Sequence, residues 1–146
     1  MLKLNFPECD LKLKNKENKP AIFSVLRKKY LILTPEEWVR QHCIHFLIHD
    51  KNYSISLLSE ERELKLGAVT KRYDILGFTS NGEIDLVVEC KAPHIKISQK
   101  TFDQIARYNM ALKANYLMIT NGISHYYCRM DYKNETYIFL EELPKK

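Results

Sequence analysis

The sequence predicts an α/β domain: a mixed β-sheet flanked by helices, in the order helix, strand, strand, strand, helix, strand, with a β-hairpin at its N-terminus. Three observations predict it. Two capped helical segments are separated by short runs of strand-forming residues. Turn chemistry punctuates those runs at Asn15-Lys16-Glu17-Asn18-Lys19-Pro20, Thr79-Ser80-Asn81-Gly82-Glu83 and Asn121-Gly122. The second helix lies between two apolar strands and requires a parallel crossover, whereas the strands before it are joined by a tight turn, so both pairings share one sheet.

Residues 1–33 alternate apolar and basic positions, as in Leu11-Lys12-Leu13-Lys14 and Ala21-Ile22-Phe23, and read as a basic β-hairpin whose second arm resumes at Tyr30-Leu31-Ile32-Leu33. The main domain occupies 34–146, and the two parts form one compact unit. Thr34-Pro35-Glu36-Glu37 starts a helix that runs to about Ile48: Thr34 caps, proline suits the first turn, and Glu37 stands at the capping-box position. Val39, Cys43, Phe46 and Leu47 form its apolar stripe, with Glu36 on that stripe and Glu37 turned away. Strands follow at about 56–58, at Arg72-Tyr73-Asp74-Ile75-Leu76-Gly77-Phe78 and at 84–91. A helix near 98–114 carries Phe102, Ile105, Asn109 and Leu112 at helical spacing, and Tyr116-Leu117-Met118-Ile119-Thr120 is a buried strand. Tyr126-Tyr127-Cys128 and Tyr137-Ile138-Phe139-Leu140 close the chain as strands.

Composition narrows the function. At 146 residues, 45% hydrophobic and 28% charged, the chain is one folded domain of ordinary size. No apolar stretch approaches a membrane span, and Lys3, Glu8 and Asp10 interrupt any signal-peptide core, so the expected location is the cytoplasm, with no membrane partner. Cys9, Cys43, Cys90 and Cys128 are at least 34 residues apart, which excludes a zinc knuckle and a dense disulfide framework. The net charge of +5 falls entirely in residues 1–33, where 8 basic residues face 3 acidic ones, a balance compatible with a polyanionic partner. No Gly-x-x-x-x-Gly-Lys loop is present, so ATP is not expected as a ligand.

The informative cluster is Asp74 with Glu89-Cys90-Lys91. Glu89 and Lys91 share a strand face, and an in-register hairpin brings Asp74 beside them. Two carboxylates one strand apart suit a hard divalent cation, and a neighbouring ammonium offsets their repulsion. The ordinary alternative is a cross-strand ion pair on a solvated face. Asp85, on the same face as Glu89, reads as a structural group at the turn end that competes with Asp74 only if the register differs. His42, His45 and His49 crowd one face of the first helix, but three imidazoles on one helix seldom suffice for a metal, and a polar interface is the ordinary role. Tyr126-Tyr127 reads as core packing before base stacking.

Asp74, Glu89-x-Lys91 and Gln104-Ile105-Ala106-Arg107-Tyr108, in this order, resemble the PD-(D/E)XK nuclease superfamily. Within it they are most similar to the N-terminal nuclease domain of type I restriction enzyme R subunits, with its RecB-like Gln-x-x-x-Tyr extension. Glu36-Glu37-Trp38-Val39-Arg40-Gln41 resembles the acidic opening helix, and Ile119-Thr120-Asn121-Gly122 the closing turn, whereas Tyr73 stands where the family usually has proline. The resemblance implies a restriction-endonuclease-like core and Mg²⁺-dependent hydrolysis of DNA phosphodiesters, with Mn²⁺ as substitute. It implies Asp74 and Glu89 as metal ligands, Lys91 as the residue orienting water or stabilising phosphate charge, and Glu36, with Glu37 as second choice, as the helix acid. Gln104 and Tyr108 would brace Lys91 or contact nucleic acid. The partners implied are DNA and either a homodimer or separate restriction or defence subunits. The competing reading is a catalytically silent nucleic-acid-binding or adaptor protein that keeps the nuclease fold.

Overall fold

The structure is a computed structural model and describes residues 2–146. The N-terminal segment is a three-stranded antiparallel sheet of β1 (Leu13–Lys16), β2 (Lys19–Ser24) and β3 (Lys29–Ile32). Its first turn places Glu17 and Asn18 at φ of 52° and 64°, the pair of left-handed residues that a two-residue hairpin loop requires. The helix α1 (Pro35–His49) follows, with Thr34 capping as expected: its side chain accepts from the Glu37 amide.

The main sheet has six strands in sequence order: β4 (Leu58–Leu66), β5 (Val69–Phe78), β6 (Ile84–Cys90), β7 (Tyr116–Thr120), β8 (His125–Asp131) and β9 (Thr136–Leu140). Only β6 and β7 are parallel, and α2 (Gln99–Asn109) makes the crossover between them. The sheet is therefore mixed, as the crossover argument requires.

Alternation along β6 divides the core. Leu86, Val88 and Cys90 pack with Val39, Cys43, Ile44 and Leu47 of α1, while Val87 packs with Phe102 and Ala106 of α2. The two helices thus cover different faces of the sheet. At the close of β7, Gly122 has a φ of +88°, and a Cβ there would lie 2.8 Å from a Leu4 methyl carbon. Glycine is required at this point both by the backbone and by the close approach of the N-terminal segment, whose Asn5 amide donates to the Gly122 carbonyl at 2.7 Å.

Three expectations need correction. The strand expected at 56–58 is a single 3₁₀ turn, Ile55–Leu57, and the strand begins at Leu58 and runs nine residues. The second helix stops at Asn109 and tightens into a 3₁₀ turn, Met110–Leu112, closed by Lys113 at a left-handed φ of 59°. On α1 the orientation of the two acids is reversed. Glu37 is buried, whereas the Glu36 side chain is 47% exposed. The helix is covered round most of its circumference and buries Arg40 and Gln41 as well as its apolar stripe, so the stripe alone does not say which acid points inward.

Candidate active site

Arg40 organises the polar end of α1. It stands three residues from Glu37 and four from Glu36, so both first-turn acids reach its guanidinium. Nη1 donates to Glu37 Oε1 at 2.6 Å and Nη2 to Glu36 Oε1 at 3.1 Å. Two further carboxylates arrive from the sheet: Nη2 lies 2.7 Å from Glu61 Oε1 and 2.8 Å from Asp74 Oδ1. The β4–β5 ladder pairs Glu60 with Ile75 and Arg62 with Tyr73, and it skips the step between. Glu61 takes a left-handed φ of 54° at that step, and its carboxylate and that of Asp74 both end on Arg40.

The Arg40 side chain is only 6% exposed. Burial disfavours its charge, but Glu37 and Asp74 more than offset that, and its pKa stands above the ordinary guanidinium value. Behind it lies a second polar layer. Gln41 donates from Nε2 to Glu37 Oε2 at 2.8 Å and to Glu60 Oε2 at 3.1 Å, and the Ser24 hydroxyl of β2 donates to Glu60. Burial pushes the Glu60 carboxyl above the usual range, with the Ser24 hydrogen bond opposing.

Asp74 also ties α1 to the Glu89-Cys90-Lys91 strand. Its Oδ2 accepts from the Cys90 amide at 2.8 Å. The β5–β6 ladder ends at Ile75 and Val88, so Asp74 and Glu89 stand where the two strands cease to pair. Their carboxylates do not share a cation. Glu89 Oε1 accepts from Lys71 Nζ at 2.7 Å, and that ammonium lies 4.4 Å from the Tyr108 ring centroid and 4.9 Å from that of Tyr73. As the side chains stand, Asp74 and Glu89 are neutralised separately, one on Arg40 and one on Lys71. Burial raises the Glu89 pKa, Lys71 pulls it back, and the charge of Asp74 raises it again.

Lys91 is placed differently from both of those cations. Its amide donates to the Thr120 carbonyl at 2.8 Å, and no carboxylate lies within 4.0 Å of its ammonium among the described residues. Its charge nevertheless favours the ionised forms of both Glu36 and Glu89, whose pKa values burial raises first. Of the two helix residues, Tyr108 sits against Lys71 rather than Lys91, and Gln104 is exposed without a side-chain hydrogen bond among the described residues. Asp85 is distant from this cluster in role: it is buried, accepts from Asn115 Nδ2 at 2.8 Å and pairs with Lys146.

Glu36, Glu37 and Glu61 border an open cleft of about 530 Å³ that is also lined by Arg27, Ile32, Thr34 and His94, among others. Among the described residues no three His, Cys, Asp or Glu side chains are gathered closely enough to hold a metal ion as they stand. By donor type, however, Asp74, Glu36 and Glu61 suit a hard dication, since each presents a carboxylate oxygen 2.7–3.1 Å from the single Nη2 nitrogen of Arg40. A divalent ion fits these residues only in exchange for that nitrogen. Of the three histidines, the His42 ring nitrogen meets the Trp38 carbonyl at 2.8 Å, and the His45 and His49 rings pack 5.6 Å apart.

Sequence reasoning missed Arg40, Glu61 and Lys71. The spacing of Glu36 and Glu37 to Arg40 carried a signal for the first; nothing local distinguishes the other two. All four cysteines are free, and no helix among the described residues is long and apolar enough to cross a membrane.

No curated protein sequence matches. A solved structure described as a fragment of an HsdR subunit of a type I restriction enzyme from Vibrio vulnificus YJ016 is similar to this chain, with a TM-score of 0.52 and 21% identity. The match covers 77% of this chain and 24% of that one, and at this identity it speaks for the fold alone. The family model described as type I restriction enzyme R protein N terminus (HSDR_N) matches residues 35–144, three quarters of the sequence, and the chain belongs to that family.

Proposed function

We propose that the chain is the nuclease-type module of a restriction or defence system and that it hydrolyses DNA phosphodiester bonds with Mg²⁺. The observation that carries this reading is the position of Asp74. Through Arg40 it joins the acids of α1, which border an open cleft, to the backbone of the Glu89-Cys90-Lys91 strand. Family membership supports the same reading.

In this proposal Asp74 and Glu89 hold the metal, Asp74 once Arg40 swings away and Glu89 through the carboxylate oxygen that Lys71 does not take, with Glu36 and Glu61 available on the cleft side. Bound Mg²⁺ supplies Lewis acidity toward the phosphoryl oxygens. Lys91, whose ammonium is committed to no carboxylate among the described residues, orients the attacking water or stabilises charge on the scissile phosphate. Glu37 stays with Arg40 and Gln41 and positions the helix end. Tyr108 holds Lys71 against Glu89, and Gln104 faces outward where it can meet a nucleic-acid backbone.

Incubating supercoiled plasmid with the protein and Mg²⁺ or Mn²⁺ tests the proposal. Nicking is expected, and Asp74→Asn and Lys91→Ala are each expected to abolish it. One observation favours the rival reading of a silent binding module: the two acids that the metal requires are already neutralised, Asp74 by Arg40 and Glu89 by Lys71. DNA binding without nicking in any divalent metal would establish that reading instead.

A further inference from the structure

The three-stranded sheet lies outside residues 35–144, the span that the family model matches. Between Lys12 and Ile32 it carries seven cations, Lys12, Lys14, Lys16, Lys19, Arg27, Lys28 and Lys29, against one acid, Glu17. Among the described residues none of the seven forms an ion pair, while Arg40 alone takes four carboxylates. Internal acids therefore do not account for this charge.

The register gathers four of the seven cations on one face. Lys14 pairs with Ala21, Lys16 with Lys19, Phe23 with Tyr30 and Ala21 with Ile32, so Lys14, Lys16 and Lys19 share a face with Phe23, Tyr30 and Ile32. Lys12 belongs to the same face: its ammonium is 5.8 Å from the Phe23 ring, and that of Lys14 is 4.1 Å from the Tyr30 ring. Those rings hold the lysine stems in place. Placing Lys16 directly opposite Lys19 costs stability, because like charges face each other across the ladder. Ile32 from this face and Arg27 from the loop before β3 both line the cleft that Glu36 and Glu61 border. The basic face is thus continuous with the candidate active site.

We infer that this sheet is a wing that grips the phosphate backbone of DNA and lays the strand across the Glu36–Glu61 cleft. The inference takes its ligand from the nuclease reading above. A polyanion is the partner that satisfies a row of unpaired lysines, and the rings between them allow contact with sugar or base edges. The wing binds backbone without reading sequence.

The test is fluorescence anisotropy of a labelled 30-base-pair duplex titrated with the full chain across a salt series. The comparison sets the wild type beside a Lys14→Ser, Lys16→Ser, Lys19→Ser triple variant. These lysines are exposed, and a thermal melt verifies that the triple variant folds. The triple variant is expected to bind at least tenfold more weakly at low salt, with the slope of log K against log salt reduced by about 0.9 for each phosphate that is no longer neutralised. An unchanged slope and affinity in the triple variant overturns the wing, whether or not the wild type nicks plasmid. Weakened binding in the triple variant alongside a wild type that never nicks supports the wing and refutes the nuclease reading.

Discussion

The Arg40 Nη2 nitrogen sits 2.8 Å from Asp74 Oδ1, across 34 residues of sequence, and the same nitrogen is within 3.1 Å of Glu36 and Glu61. One buried cation therefore answers acids from α1, β4 and β5. A guanidinium with several carboxylates around it is stable as a set and costly to break, because removing one partner leaves buried charge without a counter-ion.

Arg40→Met is accordingly expected to destabilise the protein by about 3–5 kcal/mol at neutral pH, read from urea denaturation. The same variant is expected to gain more in Tm from millimolar Mg²⁺ or Mn²⁺ than the wild type does, since the acids are then free to take a divalent ion. Equal metal responses in the two proteins would remove these acids from consideration as a cation site.

Lys71 controls the ionisation of the other acid. Burial raises the Glu89 pKa, and the Lys71 hydrogen bond and charge oppose that shift. Lys71→Met therefore raises the Glu89 pKa further. If hydrolysis needs Glu89 ionised, the acid limb of the pH–rate profile moves to higher pH in the variant while the rate at high pH is largely kept. A profile that does not move would show that Glu89 is not the titrating group.

Glu60 offers a test of stability against pH that is independent of activity. Its folded pKa is raised by burial above the unfolded value near 4.3. The folded protein then binds the proton more tightly than the unfolded chain, so this group favours folding below about pH 4.3, and that contribution is lost as pH rises through the folded pKa. Glu60→Gln keeps the shape and a side-chain acceptor for Gln41 and Ser24. It is expected to flatten the fall in stability as pH climbs from the ordinary glutamate value toward neutrality, measured by Tm across that range. A wild-type slope in the variant would place the titration elsewhere.

These relationships separate what the sequence states locally from what only the fold creates. Thr34, Pro35 and the glutamates after them mark a helix start through contacts within four residues, and α1 begins there. The apolar run before Glu89 marks β6, and Asn121-Gly122 marks the turn after β7. By contrast β4 is written Leu-Ser-Glu-Glu-Arg-Glu-Leu-Lys-Leu, a charge-rich edge strand whose composition favours strand formation poorly. Its pairing with β5 supplies what its composition does not. The acids of the site were visible as residue types, but their counter-ions were not. Arg40 meets Asp74 only because α1 packs across the end of the β5–β6 ladder, and Lys71 meets Glu89 only because β5 extends past the point where that ladder stops.

Gly122 links the N-terminal segment to the sheet and carries the most specific prediction about folding. Its φ of +88° is unfavourable for any residue with a Cβ, and the added carbon of Gly122→Ala would meet Leu4 methyl carbons at 2.8 and 3.1 Å and a Val39 methyl carbon at 3.1 Å. Backbone strain and overpacking act together here, and a loss of about 2–4 kcal/mol is expected by urea denaturation. Leu4 is a buried member of the core against α1, so the clash should first loosen residues 2–6, whose Asn5 amide is held by the Gly122 carbonyl. Hydrogen exchange at the Asn5 amide should therefore accelerate more than at Val88 in the centre of the sheet. Uniform acceleration at both positions would mean that the N-terminal segment and the sheet open as one cooperative unit.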